Sequence, residues 1–131
     1  MKVVLDANVI LAAFATRGLC EAVMAVCLDQ HEIVLSPAIL AEVDRNLSRK
    51  FKLPAARSQE IGAFLREHAE LVTPVELPSD VCRDPDDRAV LGTAVAGNAQ
   101  CLITGDADLL ILKQFQDIPI LSPRAFYDKL R

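Results

Sequence analysis

"DPDDRAVLGTAVAGNAQCLITGDADLL", residues 84 to 110, joins a proline-started helical run to a short apolar run and then to a second acid-bearing helix start. Pro85 suits a first helical turn, because the N–H it lacks has no intrahelical partner there. "CLIT", residues 101 to 104, has the apolar character of a strand buried on both faces. A helix that feeds a buried strand is half of a βαβ unit, so the stretch argues for parallel pairing and an α/β fold.

The rest of the chain repeats the pattern. "KVVL" (2 to 5), "EIVL" (32 to 35) and "IPIL" (118 to 121) are three more buried-strand candidates, and "ELVTPV" (70 to 75) is a weaker fifth. Helical stretches lie between them. Ser36-Pro37 is an N-cap followed by proline, with Ile39, Leu40, Val43 and Leu47 at helical spacing, and Ser122-Pro123 repeats the device for a closing helix over 124 to 130. Residues 19 to 29 and 56 to 70 read as two further helices, and "TPVELPSDVCRDPDD" as an irregular connection. These signals predict a three-layer α/β/α sandwich around a parallel sheet of four to five strands. The whole chain, 1 to 131, is expected to be one domain.

Composition narrows the function. Hydrophobic residues make up 52% of the chain and charged residues 24%, as in ordinary globular proteins. The longest wholly apolar run is "VILAAFA", far short of the roughly 20 residues that a membrane span requires. With an acid as early as Asp6 and strand-like residues before it, no signal peptide is expected. A soluble, cytoplasmic protein without membrane attachment is expected. Cys20, Cys27, Cys82 and Cys101 form no CxxC and read as free thiols, while His31 and His68 read as surface or packing residues. The net charge of −4 opposes nucleic-acid binding by overall field. A local exception is the basic group Arg45, Arg49, Lys50, Lys52 and Arg57, either a solvated helix face or a phosphate-binding patch.

The acids are better organised. Asp6 follows the first strand, Asp106 follows "CLITG", and Glu42 lies in the helix entered from the second strand. In open parallel sheets the ligand crevice forms beyond the carboxyl ends of the strands, where these acids can converge. Helical phase ranks the 84 to 87 cluster. At roughly 100° per residue, Asp87 falls within about 10° of the centre of the stripe formed by Val90, Leu91, Ala94 and Val95, and Asp86 about 110° away. Asp84 precedes Pro85 and belongs outside the helix. Asp84 and Asp86 are thus expected to be helix-start charges, favoured there by the helix dipole. Asp87 points inward, and an unpaired carboxylate on a core stripe is costly unless something satisfies it. Glu42 has an alternative role as partner of Arg45 on one helix face. Asp106 can also cap the next helix, with Asp108 as a first-turn charge.

Oxygen ligands without Cys or His select Mg²⁺ or Mn²⁺ over zinc, and such ions suit water-mediated cleavage of a phosphodiester. Like-charge coupling raises some of the carboxyl groups when no ion is bound. Metal dependence and activity at neutral to mildly alkaline pH are expected.

"VVLDANVILAAF", "LSPAILAEV", "DPDDRAVLGTAVAGNAQCLITGDADLL" and "IPILSPRAF" together resemble the PIN domain family, in particular its bacterial and archaeal toxin components of toxin–antitoxin systems. The resemblance implies an α/β/α fold and a Mg²⁺- or Mn²⁺-dependent ribonuclease. It carries the acids of the family site onto Asp6, Glu42, Asp87 and Asp106, with Asp108 able to assist at the fourth corner. Asn8 and Thr104 fall at polar positions that shape the site. Arg45, Arg49, Lys50 and Lys52 then stand as candidate RNA phosphate contacts. A small antitoxin and a homodimer are the partners it implies. A catalytically silent PIN-like module binding RNA or protein stays open as the alternative. Aspartyl-phosphate chemistry is disfavoured: the haloacid dehalogenase pattern expects an acid where Asn8 stands, and "LDAN" and "ITGDAD" do not supply the acids and lysine of a receiver.

Overall fold

The computed structural model describes residues 1–130. In chain order the elements are β1 (Lys2–Leu5), α1 (Ala7–Ala15), α2 (Leu19–Gln30), β2 (Glu32–Leu35), α3 (Pro37–Arg49), α4 (Ala55–His68), β3 (Ala69–Leu71), α5 (Pro85–Ala96), β4 (Cys101–Ile103), α6 (Ala107–Leu110), β5 (Gln114–Phe115), β6 (Ile118–Leu121) and α7 (Pro123–Lys129). The sheet runs β3-β2-β1-β4-β6-β5, parallel throughout except for the last pair. Val3, Val4 and Leu5 are successive and wholly buried. Since successive strand residues face opposite sides, both faces of β1 are covered, as a sheet between two helical layers requires.

Order reverses at the middle of this sheet. The chain steps from β1 to β2 on one side, whereas β4 joins the other side of β1, so the β1–β4 pair is the switch point at which a crevice opens. Val3, Val4 and Leu5 pair with Cys101, Leu102 and Ile103. This register delivers Asp6 and Thr104 to the same end of the sheet, one step beyond the ladder.

The observed sheet has six strands among the described residues, where four to five were expected. The addition is β5, two residues long and antiparallel to β6. Gln116 and Asp117 both have positive φ, 49° and 67°, which suits a tight two-residue hairpin connection. No glycine marks that turn and two residues carry no periodicity, so the sequence hides it. The fifth expected strand is present but earlier and shorter, Ala69–Leu71, and α4 ends at His68, two residues before the expected limit. As an outer strand, β3 carries Glu70 and Leu71 exposed. It is therefore not the continuous apolar run that marks a central strand.

Helix α5 is buried more widely than one stripe. Besides Asp87, Val90, Leu91 and Ala94, it buries Gly92 and Thr93. Gly92 lies against the Val75 backbone so closely that a Cβ would collide with the carbonyl oxygen, and the Val75 N–H donates back to the Gly92 carbonyl at 3.1 Å. The irregular stretch 72–84 is thereby stitched along the helix. No single helix among the described residues is long and apolar enough to cross a membrane. The four cysteines are free, and His31 and His68 pack against Phe126 and Phe64.

Candidate functional site

Asp6 is the most confined of the acids. It caps α1, its Oδ1 accepting the Ala7 N–H at 2.7 Å, while its Oδ2 accepts the Thr104 hydroxyl at 2.6 Å. The Asp6 N–H continues the sheet ladder to the Ile103 carbonyl at 3.0 Å. Its side chain is therefore fixed by a strand end, a helix start and a neighbouring strand at once. Burial raises its carboxyl above the usual range; the Thr104 and Ala7 hydrogen bonds oppose that shift and the charge of Asp106 adds to it.

Thr104 does two jobs with one hydroxyl. It donates to Asp6, 98 positions away in sequence, and accepts the Asp106 N–H at 3.0 Å, joining the first and fourth acids. Asn8 makes a second tie, its Oδ1 accepting the Gly105 N–H at 3.3 Å. Both residues thus lie against the strand end and loop that carry Asp6 and Asp106.

Asp87, Asp106 and Asp108 bring carboxylate oxygens within 4.8 Å of one another. Asp87 is 7% exposed, as its helical phase predicted. Asp106 caps α6 by accepting the Asp108 N–H at 2.8 Å, and Asp108 is exposed. The Asp87 carboxyl is pushed up to about 7, first by burial and then by Asp106, with smaller contributions from Asp84 and Asp6. None of the three forms a salt bridge among the described residues. Such a group of acids lacks positive charge.

Glu42, half-buried on α3, faces the same region from the other side. Burial raises its carboxyl, Asp6, Asp86 and Asp84 push it further up, and Arg45 opposes them. Asp84 caps α5, its Oδ1 accepting the Asp86 N–H at 2.8 Å. Asp86 is exposed at the helix start, yet lines a narrow cleft between α3 and α5 with Glu42, Ile39 and Val90. Its charge therefore reaches Glu42. No close Glu42–Arg45 ion pair forms among the described residues. Arg45, Arg49, Lys50 and Lys52 are all exposed. Arg45 is the one whose charge is felt by an acid of the cluster.

Two features escape sequence reading. The hydroxyls of Ser36, which caps α3, and Thr93, on α5, are 2.8 Å apart and buried. With Thr93 also 2.7 Å from the Ala89 carbonyl, the proton count is met if Ser36 donates to Thr93. This latch joins the helix bearing Glu42 to the helix bearing Asp87. The other is Arg88, whose guanidinium binds backbone carbonyls just before α5. Hydroxyl and arginine side chains carry no signal of their partners when those lie in another element or in an irregular loop.

Fold and acid arrangement define an α/β protein with a carboxylate cluster at the sheet's switch point. A PIN domain model matches residues 2–108, and the chain belongs to that family, whose members are nucleases. Two solved structures share the fold. One is the crystal structure of VapBC2 from Rickettsia felis bound to a DNA fragment from their promoter, with a TM-score of 0.68, 16% identity and coverage of 93% of this chain and 98% of that one. The other is VapBC-1 from nontypeable Haemophilus influenzae, with a TM-score of 0.66, 19% identity and coverage of 95% and 99%. No curated protein matches the chain.

Proposed function

We propose that the protein is a Mg²⁺- or Mn²⁺-dependent endoribonuclease acting as the toxin of a toxin–antitoxin pair. Asp6, Glu42, Asp87 and Asp106 are its catalytic acids, and Asp108 assists at the outer edge. The observation that carries this reading is the convergence of Asp87, Asp106 and Asp108 within 4.8 Å without a cationic side chain to pair them. The donor set fits the ion: all ligating atoms are carboxylate oxygens, which suit hard divalent cations. A bound ion of that kind supplies the charge that activates water and stabilises the leaving oxygen in phosphodiester hydrolysis.

The chain's own residues supply the geometry. Thr104 and the Ala7 N–H hold both Asp6 oxygens in place, and Asn8 holds the Gly105 loop beside them. Arg45, whose charge reaches Glu42, is the first candidate for a substrate phosphate contact, and the exposed Arg49, Lys50 and Lys52 are the others. Phosphate contacts of this kind position a nucleic acid and weaken as salt rises. Partners under this reading are RNA, a small antitoxin and a second copy of the chain, and the cytoplasm is where they meet. Support for the antitoxin comes from the two structural neighbours, both VapBC complexes.

The test is direct. Purified protein is incubated with single-stranded and structured RNAs in Mn²⁺, Mg²⁺ or EDTA, beside Asp6→Asn and Asp87→Asn. Cleavage confined to the wild type with metal is the expected result. Equal turnover by wild type and either variant overturns the mechanism.

A further inference from the structure

Arg88 follows Asp87 in the first turns of α5 but does not pair with an acid. Among the described residues it forms no salt bridge. Its Nη1 donates instead to the carbonyl oxygens of Cys82 at 2.7 Å and Arg83 at 3.1 Å, and its side chain is half-buried. Its own N–H donates to the Asp84 carbonyl at 3.0 Å. The Asp84 side chain in turn holds the Asp86 N–H at 2.8 Å. Four hydrogen bonds therefore close residues 82 to 88 into one loop-and-helix unit, with Asp87 inside it.

That expenditure of donors needs a reason. A guanidinium next in sequence to an inward-facing aspartate could pair with a carboxylate, and doing so would offset part of the negative charge of the cluster. Here the loop carbonyls occupy two of its N–H groups and draw it towards the outer side of α5. There it lines a cleft with Pro74, Val75, Leu77 and Pro85. The same bonds tie the end of the irregular stretch 72–84 to the helix that it enters. Other polar ties at that end are the Asp84 cap, the Val81 N–H to the Pro78 carbonyl at 3.1 Å and a weak contact from the Cys82 thiol to the Asp84 carbonyl at 3.7 Å, while Val81 and Cys82 pack against the core. A carboxylate in a first helical turn is only as well placed as the turn's entry.

We infer that Arg88 is a positioning residue: by clamping the Cys82 and Arg83 carbonyls it sets the start of α5, and so aims Asp87 at Asp106 and Asp108. This inference rests on the metal-dependent reading of the acids. Outer groups that orient metal-binding carboxylates typically change ion affinity by about tenfold or more when removed.

The experiment compares wild type, Arg88→Met, Arg88→Lys and the distant control Arg66→Met. Mn²⁺ affinity is measured by electron paramagnetic resonance, and amide hydrogen exchange at Asp86 and Asp87 is measured without metal. Arg88→Met is expected to weaken Mn²⁺ binding by about tenfold and to speed exchange at both amides. Arg88→Lys should recover part of both effects, because one ammonium can still reach a carbonyl, and Arg66→Met should match the wild type. Unchanged exchange in Arg88→Met overturns the clamp. Faster exchange with unchanged Mn²⁺ affinity overturns its link to the site. If wild type binds no Mn²⁺, the metal reading fails, and with it the link; the exchange arm still decides the clamp.

Discussion

The two ends of the central strands treat charge in opposite ways. At the amino ends, Lys2 pairs with Glu70 at 3.1 Å and its N–H donates to the Gln100 side chain, so charge and polarity are matched across the sheet. At the carboxyl ends, Asp6, Glu42, Asp87 and Asp106 gather, and burial and mutual repulsion raise the first three. At the first end, the charge of Lys2 is paired within the chain. The other stores an electrostatic deficit that a cation from outside can remove, and under the proposed function it is the working end of the fold.

The largest expected effect comes from removing the deficit itself. Asp6→Asn or Asp87→Asn should lower metal-dependent RNA cleavage about a hundredfold or more, the equivalent of a few kcal/mol of transition-state stabilisation. The metal-free protein should not lose stability with Asp87→Asn at pH 7, and a large fall in its melting temperature would show that Asp87 serves folding instead.

Next is pH. With its folded carboxyl pushed up to about 7, Asp87 keeps a proton over a range where the unfolded chain has already released it. The folded state then binds more protons, so stability is greatest below the ordinary carboxylate range and falls as pH rises towards 7. Metal-free melting scans should show this fall, and Mn²⁺ or Asp87→Asn should flatten it. A rise over the same window in metal-free protein would contradict the deficit.

Thr104→Val tests the tie between Asp6 and Asp106. Loss of the hydroxyl should move the acidic limb of the cleavage profile to higher pH, because that hydrogen bond favours ionised Asp6. The stability cost should be about 1 kcal/mol, typical of one buried hydrogen bond. Asp86→Asn should alter cleavage only modestly, since Asp86 reaches the cluster through Glu42 alone. If it matches Asp87→Asn, the division between inward and flanking acids is wrong. The smallest change belongs to the matched end: Lys2→Ala breaks an exposed pair and should cost less than about 1 kcal/mol in denaturant unfolding.

Much of this arrangement can be read before folding. Parallel strands β1, β2, β4 and β6 show as apolar runs, and the Ser36, Asp84 and Ser122 caps announce their helices. The inward aim of Asp87 follows from helical phase. Less legible is whatever depends on a partner far away in sequence. The β5 hairpin rests on two positive-φ residues without glycine. Asp86 reads as a helix-start charge by phase, and only its cleft with Glu42 couples it to the cluster.

Residue order alone determined that the chain alternates strands with helices and that acids sit at the ends of its strands, because periodicity and capping are local properties of a few neighbouring positions. Which acids meet was decided by strand order and register, with β4 beside β1 bringing Thr104 to Asp6 and Asp106 to Asp87. The same packing settled that Arg88 binds carbonyls and leaves the carboxylates unpaired. Hydrogen bonding and desolvation act over a few ångströms of space, and no local pattern encodes distances between segments a hundred positions apart.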